Sequence, residues 1–190
     1  MSKGSLLIDF DGTIVDHQFP EIGEPIEGAF ETLKALKKVG WQLILWTCRE
    51  DMPDRNYLTE AIEFCKNNGI EFDAANEGIP DPDLAIPANV MRKPHVTHCI
   101  DDRNLFGFPG WNKVAKELIT LEEAAELLIE ELINPIRPDW YLSVGHTAGS
   151  SEEELYIYLL KKSKAPNIYK ETGWLGYPVH VNYVGKVQAN

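Results

Sequence analysis

Two carboxylates, Asp9 and Asp11, stand two positions apart where the apolar run Leu6-Leu7-Ile8 ends, and Gly12 and Thr13 follow them. On an extended chain, residues two apart point to the same side. Like charges held that close are costly unless a cation lies between them or one takes a proton. The pair therefore suggests metal binding, nucleophilic attack or proton transfer. Asp-Gly is also ordinary turn chemistry, so the pair needs partners elsewhere in the chain. Thr47-Cys48-Arg49 closes the apolar run 41–46, and Asp101-Asp102 closes the run 95–100. Arg92 and Lys93 come just before that last run.

Together these groups suit phosphoryl chemistry. A hard divalent cation such as Mg²⁺ takes oxygen ligands. Asp9, Asp102 and Asp101 can supply carboxylates and Asp11 a backbone carbonyl. Asp102 is preferred as the direct ligand, with Asp101 either supporting it from behind or acting through water. A carboxylate such as Asp9 can serve as nucleophile through an aspartyl-phosphate. Asp11 can protonate the leaving alkoxide and then deprotonate the attacking water. Thr47 offers a hydroxyl and nearby N–H groups to phosphoryl oxygens, with Cys48, Arg49 and Gly12 beside it as the candidate substrate-binding set. Within that set Cys48 reads as filler, and Arg49 as a substrate contact or a surface charge. A cation must also offset charge on the transferring group. Lys93 is best placed for this, and Arg92 is the fallback.

Positioning these groups requires a particular fold. The runs 6–8, 41–46, 72–75 and 95–100 read as strands. Between them, helices are expected from Pro25 to Gly40 and over 54–68. This alternation predicts a Rossmann-like parallel sheet with flanking helices. Ligands of such sheets sit beyond the carboxyl ends of the strands, where Asp9/Asp11, Thr47 and Asp101/Asp102 all fall. Residues 77–88 and 105–111 read as loops. Thr120-Leu121-Glu122-Glu123 is a capping box that opens a further helix, and Pro135 and Pro138 mark its end. The expected division is a core over 1–134 and a small α+β extension over 135–190. In the extension, 141–144 and 179–184 read as strands. Ser151 to Glu154 reads as a second capping box, opening a helix to about Ser163. The extension is rich in aromatics, among them Trp140, Tyr156, Trp174 and Tyr177, and it holds no catalytic constellation. His146 and His180 read as ordinary polar residues.

Composition narrows the function. The net charge is −12. From residue 136 onward six Lys/Arg face five Asp/Glu, so that part is +1 and the first 135 residues carry −13. Such a surface repels phosphate backbones and argues against bulk nucleic-acid binding. No run approaches the ~20 apolar residues of a membrane span, so no membrane partner is expected. Three cysteines without metal-type spacing read as reduced thiols in a cytoplasmic protein.

The set Asp9-Phe10-Asp11-Gly12-Thr13, Thr47, Lys93 and Ile100-Asp101-Asp102 resembles the four motifs of the haloacid dehalogenase superfamily. The resemblance covers about residues 5–133. It implies a Rossmann-like core, Mg²⁺, Asp9 as nucleophile and Asp11 as acid/base, as in the phosphatase branch. Many members carry a cap domain, and the spacings here leave no room for one. An open site admits a large phosphorylated substrate. It equally admits a small one enclosed by another subunit of a homo-oligomer or by the C-terminal extension. The expected activity is Mg²⁺-dependent phosphomonoester hydrolysis. The alternatives are a phosphotransferase on the same core, or a non-catalytic Mg²⁺-binding scaffold whose C-terminal module binds a partner.

Overall fold

The computed structural model describes residues 2–79, 94–147 and 152–185. The chain divides into two compact units, 1–110 and 111–190. Helices of the 111–133 region thus group with the C-terminal strands, and the prolines at 135 and 138 fall inside the second unit.

The first unit is an α/β sheet in the order β3-β2-β1-β4. Its strands are β1 (Gly4–Ile8), β2 (Trp41–Leu45), β3 (Ala74–Ala75) and β4 (His98–Ile100), all parallel. Leu6, Ile8, Leu43, Ile44 and Leu45 are buried. That is why β1 and β2 read as continuous apolar runs rather than alternating ones. Helix α1 (Ala29–Lys38) buries Phe30, Leu33 and Leu36, three side chains at helical spacing. Each such burial stabilises by about 1.5–3 kcal/mol. Helix α2 (Tyr57–Asn67) buries Ala61 and Cys65.

The register sets the site. Ile8 lies opposite Leu45 on one side and Ile100 on the other. The ladder runs one residue past each strand end. Asp9 N–H donates to Ile100 O at 3.0 Å, Trp46 N–H to Ile8 O at 2.8 Å and Asn76 N–H to Leu45 O at 2.8 Å. Asp9, Thr47, Asn76 and Asp101 therefore leave the sheet at one edge.

Pro25 does not open the first helix. Residues 24–26 pair instead with 14–16: Asp16 N–H donates to Glu24 O at 2.8 Å and Ile26 N–H to Ile14 O at 2.9 Å. Those backbone groups are spent on a small hairpin, and the helix starts at Ala29. Gly23 is required there, since a Cβ would lie 2.0 Å from the Asp16 carbonyl oxygen.

The second unit holds α3 (Trp111–Leu118), α4 (Leu121–Ile133), β5 (Tyr141–His146), β6 (Leu155–Leu159), α5 (Asn167–Thr172) and β7 (Val179–Tyr183). The capping box at Thr120 and Glu123 is present with both of its bonds. Helix α3 is not among the elements expected above; its buried Trp111, Val114 and Ala115 follow helical spacing. The helix expected beyond Glu154 is a strand. Leu155, Ile157 and Leu159 are buried and alternate with Tyr156 and Tyr158, a period of two in residues that favour strands. Strand β6 pairs antiparallel with β5 and parallel with β7. Some of the tail's aromatics build this unit's interior. Tyr177 is buried and its hydroxyl donates to Ile119 O at 2.8 Å, while Trp174 Nε1–H donates to Ala124 O at 3.0 Å. His180 Nε2 lies 3.0 Å from Glu154 Oε1, and its ring stacks on Tyr156. No helix among the described residues is long and apolar enough to cross a membrane.

Candidate functional site

The chain turns sharply after β1. The N–H groups of Ile14 and Val15 both return to Phe10 O, at 2.9 and 3.1 Å, and Gly12 N–H donates to Val15 O at 2.7 Å. Gly12 has φ +86°, and a Cβ there would lie 2.5 Å from Asp102 Oδ2. Glycine is thus needed twice, for the backbone conformation and for the close approach of Asp102. Gly12 does not line the cleft described below; it lets Asp102 reach the site.

Thr13 is fully buried and joins the two acidic segments. Its hydroxyl donates to Asp9 Oδ2 at 3.4 Å and accepts from Asp102 N–H at 3.0 Å. This bridging role is not marked by any local pattern beyond the place of Thr13 in the first motif. Carboxylate oxygens of Asp9, Asp101 and Asp102 lie within 4.8 Å of one another. Burial pushes the Asp9 carboxyl up to about 6; the Phe10 N–H opposes this, and Asp101, Asp102 and Asp11 add to it.

Asp102 decides whether a cation fits. Its Oδ1 is buried with no hydrogen-bond partner, a costly state for a carboxylate oxygen. One oxygen of Asp101, by contrast, already accepts from Arg103 N–H at 2.7 Å. Three converging carboxylates with one unpartnered oxygen form an all-oxygen donor set, which can chelate a hard divalent cation.

Asp11 faces another way. Arg49 Nε–H donates to Asp11 Oδ2 and Arg49 Nη2–H to Oδ1, both at 2.7 Å. Arg49 is 1% exposed. Its remaining bonds go to backbone carbonyls of the 17–23 loop, Nη1 to Pro20 O at 3.2 Å and Nη2 to Glu21 O at 2.8 Å. Four of its five N–H groups are thereby used within the protein. The guanidinium also lies between two rings, 5.1 Å from the Phe10 centroid and 5.2 Å from that of Phe19. Arg49 therefore orients Asp11 and fastens the loop.

Thr47 is buried at the end of β2, with its N–H donating to Asn76 Oδ1 at 2.8 Å. Asn76 Nδ2 donates to Arg49 O at 3.1 Å. Asn76 has φ +50°, a conformation asparagine tolerates better than most residues. It ties down the 47–49 loop, and the sequence reading missed it. Its position after β3, on the same sheet edge as the other groups, was the available signal. Cys48 is exposed. Lys93 and Arg92 lie outside the described residues.

A cleft of about 450 Å³ opens over these groups, lined by Asp9, Asp11, Thr47, Cys48, Arg49 and Asp101. His17, Phe19, Trp46 and Arg103 complete the lining.

The first unit is thus a Rossmann-like α/β core with an acidic site at the carboxyl edge of its sheet, the build of a metal- or phosphate-binding enzyme class. The chain is similar to a solved structure from Bacteroides thetaiotaomicron, described as a conserved protein coded by one of its loci. The two share 41% identity over 95% of that protein and 63% of this one, with a TM-score of 0.52. This chain therefore belongs to the same family as that conserved protein. No family model and no curated protein matches the chain.

Proposed function

We propose that the chain is a Mg²⁺-dependent phosphomonoester hydrolase of the haloacid dehalogenase type, working through an aspartyl-phosphate on Asp9. The observation that carries this reading is the convergence of Asp9, Asp101 and Asp102, together with a buried Asp102 oxygen that has no hydrogen-bond partner. Asp9 and Asp102, with Asp101, would hold the cation. Asp11 would offer its backbone carbonyl, since its carboxylate is engaged by Arg49. Bound Mg²⁺ would supply positive charge that offsets the substrate phosphate and lets a carboxylate approach it.

The protein's own groups then divide the work. An Asp9 oxygen attacks phosphorus, and the bond from phosphorus to the alcohol oxygen breaks. Asp11, parted from one of its two Arg49 bonds and protonated from solvent as substrate binds, gives the leaving alkoxide that proton. It then takes one from a water that attacks the phosphorus of the aspartyl-phosphate, releasing phosphate and regenerating Asp9. The Thr47 hydroxyl accepts from Arg49 N–H at 3.2 Å, so its own proton is available for a phosphoryl oxygen. Arg49 keeps the Asp11 carboxylate in one orientation. Lys93, or Arg92, is assigned the cationic role from its sequence position ahead of β4. The three cysteines are free thiols, which supports a cytoplasmic setting.

The test is release of p-nitrophenol from its phosphate. Turnover that needs Mg²⁺, stops with EDTA and is lost in Asp9→Asn supports the reading. Absence of turnover across a broad panel of phosphate esters with Mg²⁺ overturns it. Product analysis with added alcohols separates hydrolysis from transfer to another acceptor.

A further inference from the structure

The same cleft that exposes the acidic groups has an aromatic wall, which phosphoryl chemistry does not itself require. Phe19 is 52% exposed at the tip of the 14–26 hairpin and lines the cleft with His17 and Trp46. A large apolar side chain on an exposed loop gains little from burial there.

The protein nonetheless fixes it firmly. Buried Arg49 holds the carbonyls on the C-terminal side of Phe19, at Pro20 and Glu21. Arg55 grips the Glu21 carboxylate with two bonds, at 2.7 and 3.0 Å. The Phe19 ring itself rests against the Arg49 guanidinium and against Tyr57, whose centroid is 5.4 Å away. A buried arginine and a second ion pair are thus committed to holding one half-exposed ring beside the site. A ring held this way loses little freedom when a ligand stacks on it.

We infer that this wall recognises an aromatic or heteroaromatic ring on the alcohol side of the phosphomonoester, with Phe19 and Trp46 as the residues that set this preference. The inference deepens the phosphatase reading and rests on it. Flat rings stack on aromatic faces with an orientation that saturated rings of the same size do not share.

Benzyl phosphate and cyclohexylmethyl phosphate separate the two effects, since both release a primary alcohol of similar size. The wild-type protein with Mg²⁺ is expected to favour the benzyl ester in kcat/KM by roughly five- to tenfold. That ratio should fall to near one in Phe19→Leu and in Trp46→Leu, and persist in Phe19→Tyr. A wild-type ratio near one overturns the aromatic preference and leaves the hydrolase reading standing. A ratio that survives in both leucine variants overturns the assignment to this wall. Absence of Mg²⁺-dependent turnover on either ester, and on the wider panel, overturns the hydrolase reading and the preference with it.

Discussion

Asp9 sits where burial and three neighbouring carboxylates all oppose its charge, and its carboxyl is raised to about 6 from an ordinary 3.8. The consequence for stability has a definite sign. A carboxyl raised in the folded state favours folding most when protonated, below about pH 4. That contribution is lost as pH rises through about 6. Without metal, Asp9→Asn should therefore be more stable than the wild type above pH 6, by about 1–2 kcal/mol once solvent screening is allowed for. The gap should close below pH 4. Added Mg²⁺ should narrow or invert it at pH 7.5, because the cation stabilises only the chain that binds it. Urea denaturation from pH 4 to 7.5, with EDTA or with Mg²⁺, checks all three points. Of the groups around Asp9, the sequence discloses some and hides others. Two carboxylates spaced for one side of a strand announced themselves. The bidentate pair of Asp11 with Arg49 did not, because nothing local to either residue marks a partner 38 positions away. An arginine after a strand reads as a substrate contact, whereas this one is spent almost wholly on the protein itself.

The elements bring the site together through their ends, and the loop after β2 depends on the residue that follows β3. Asn76 makes two bonds across that gap, to Thr47 N–H and Arg49 O. Asn76→Ala removes both while leaving the buried strands untouched. It is expected to cost about 1–2 kcal/mol of stability and to lower kcat/KM by roughly tenfold through Thr47 and Arg49. Melting temperature and steady-state kinetics on p-nitrophenyl phosphate read the two effects separately. Strands β1 and β2 were legible because parallel strands buried on both faces leave continuous apolar runs, whereas β4 buries only Ile100 of its three residues. The hairpin at 14–16 and 24–26 was not, since Pro25 equally suits a first helical turn. Around β6 two local signals competed. The capping pattern at Ser151 to Glu154 suggested a helix, but the Leu-Tyr-Ile-Tyr-Leu alternation that follows can bury one face only as a strand.

The chain joins a unit with an acidic site at its sheet edge to a second unit with its own sheet and its own buried aromatics. More than a third of the chain has no counterpart in the Bacteroides protein it resembles. Composition signalled the change of character through charge and aromatic content. It did not mark where the first unit ends, because Pro135 and Pro138 are louder in sequence than Gly110. Pairing of β1 with β4 joins Leu6 to His98, roughly ninety residues of intervening chain, and that pairing brings Asp101 and Asp102 to Asp9. Closing so long a loop is slow and comes at an entropic cost. The acidic triad exists only after this closure, so a cation held there would act on the finished structure rather than on the path to it. Mg²⁺ should accordingly slow unfolding and leave the refolding arm of a urea chevron nearly unchanged. Withdrawing the ion would shorten the lifetime of the fold without delaying its formation.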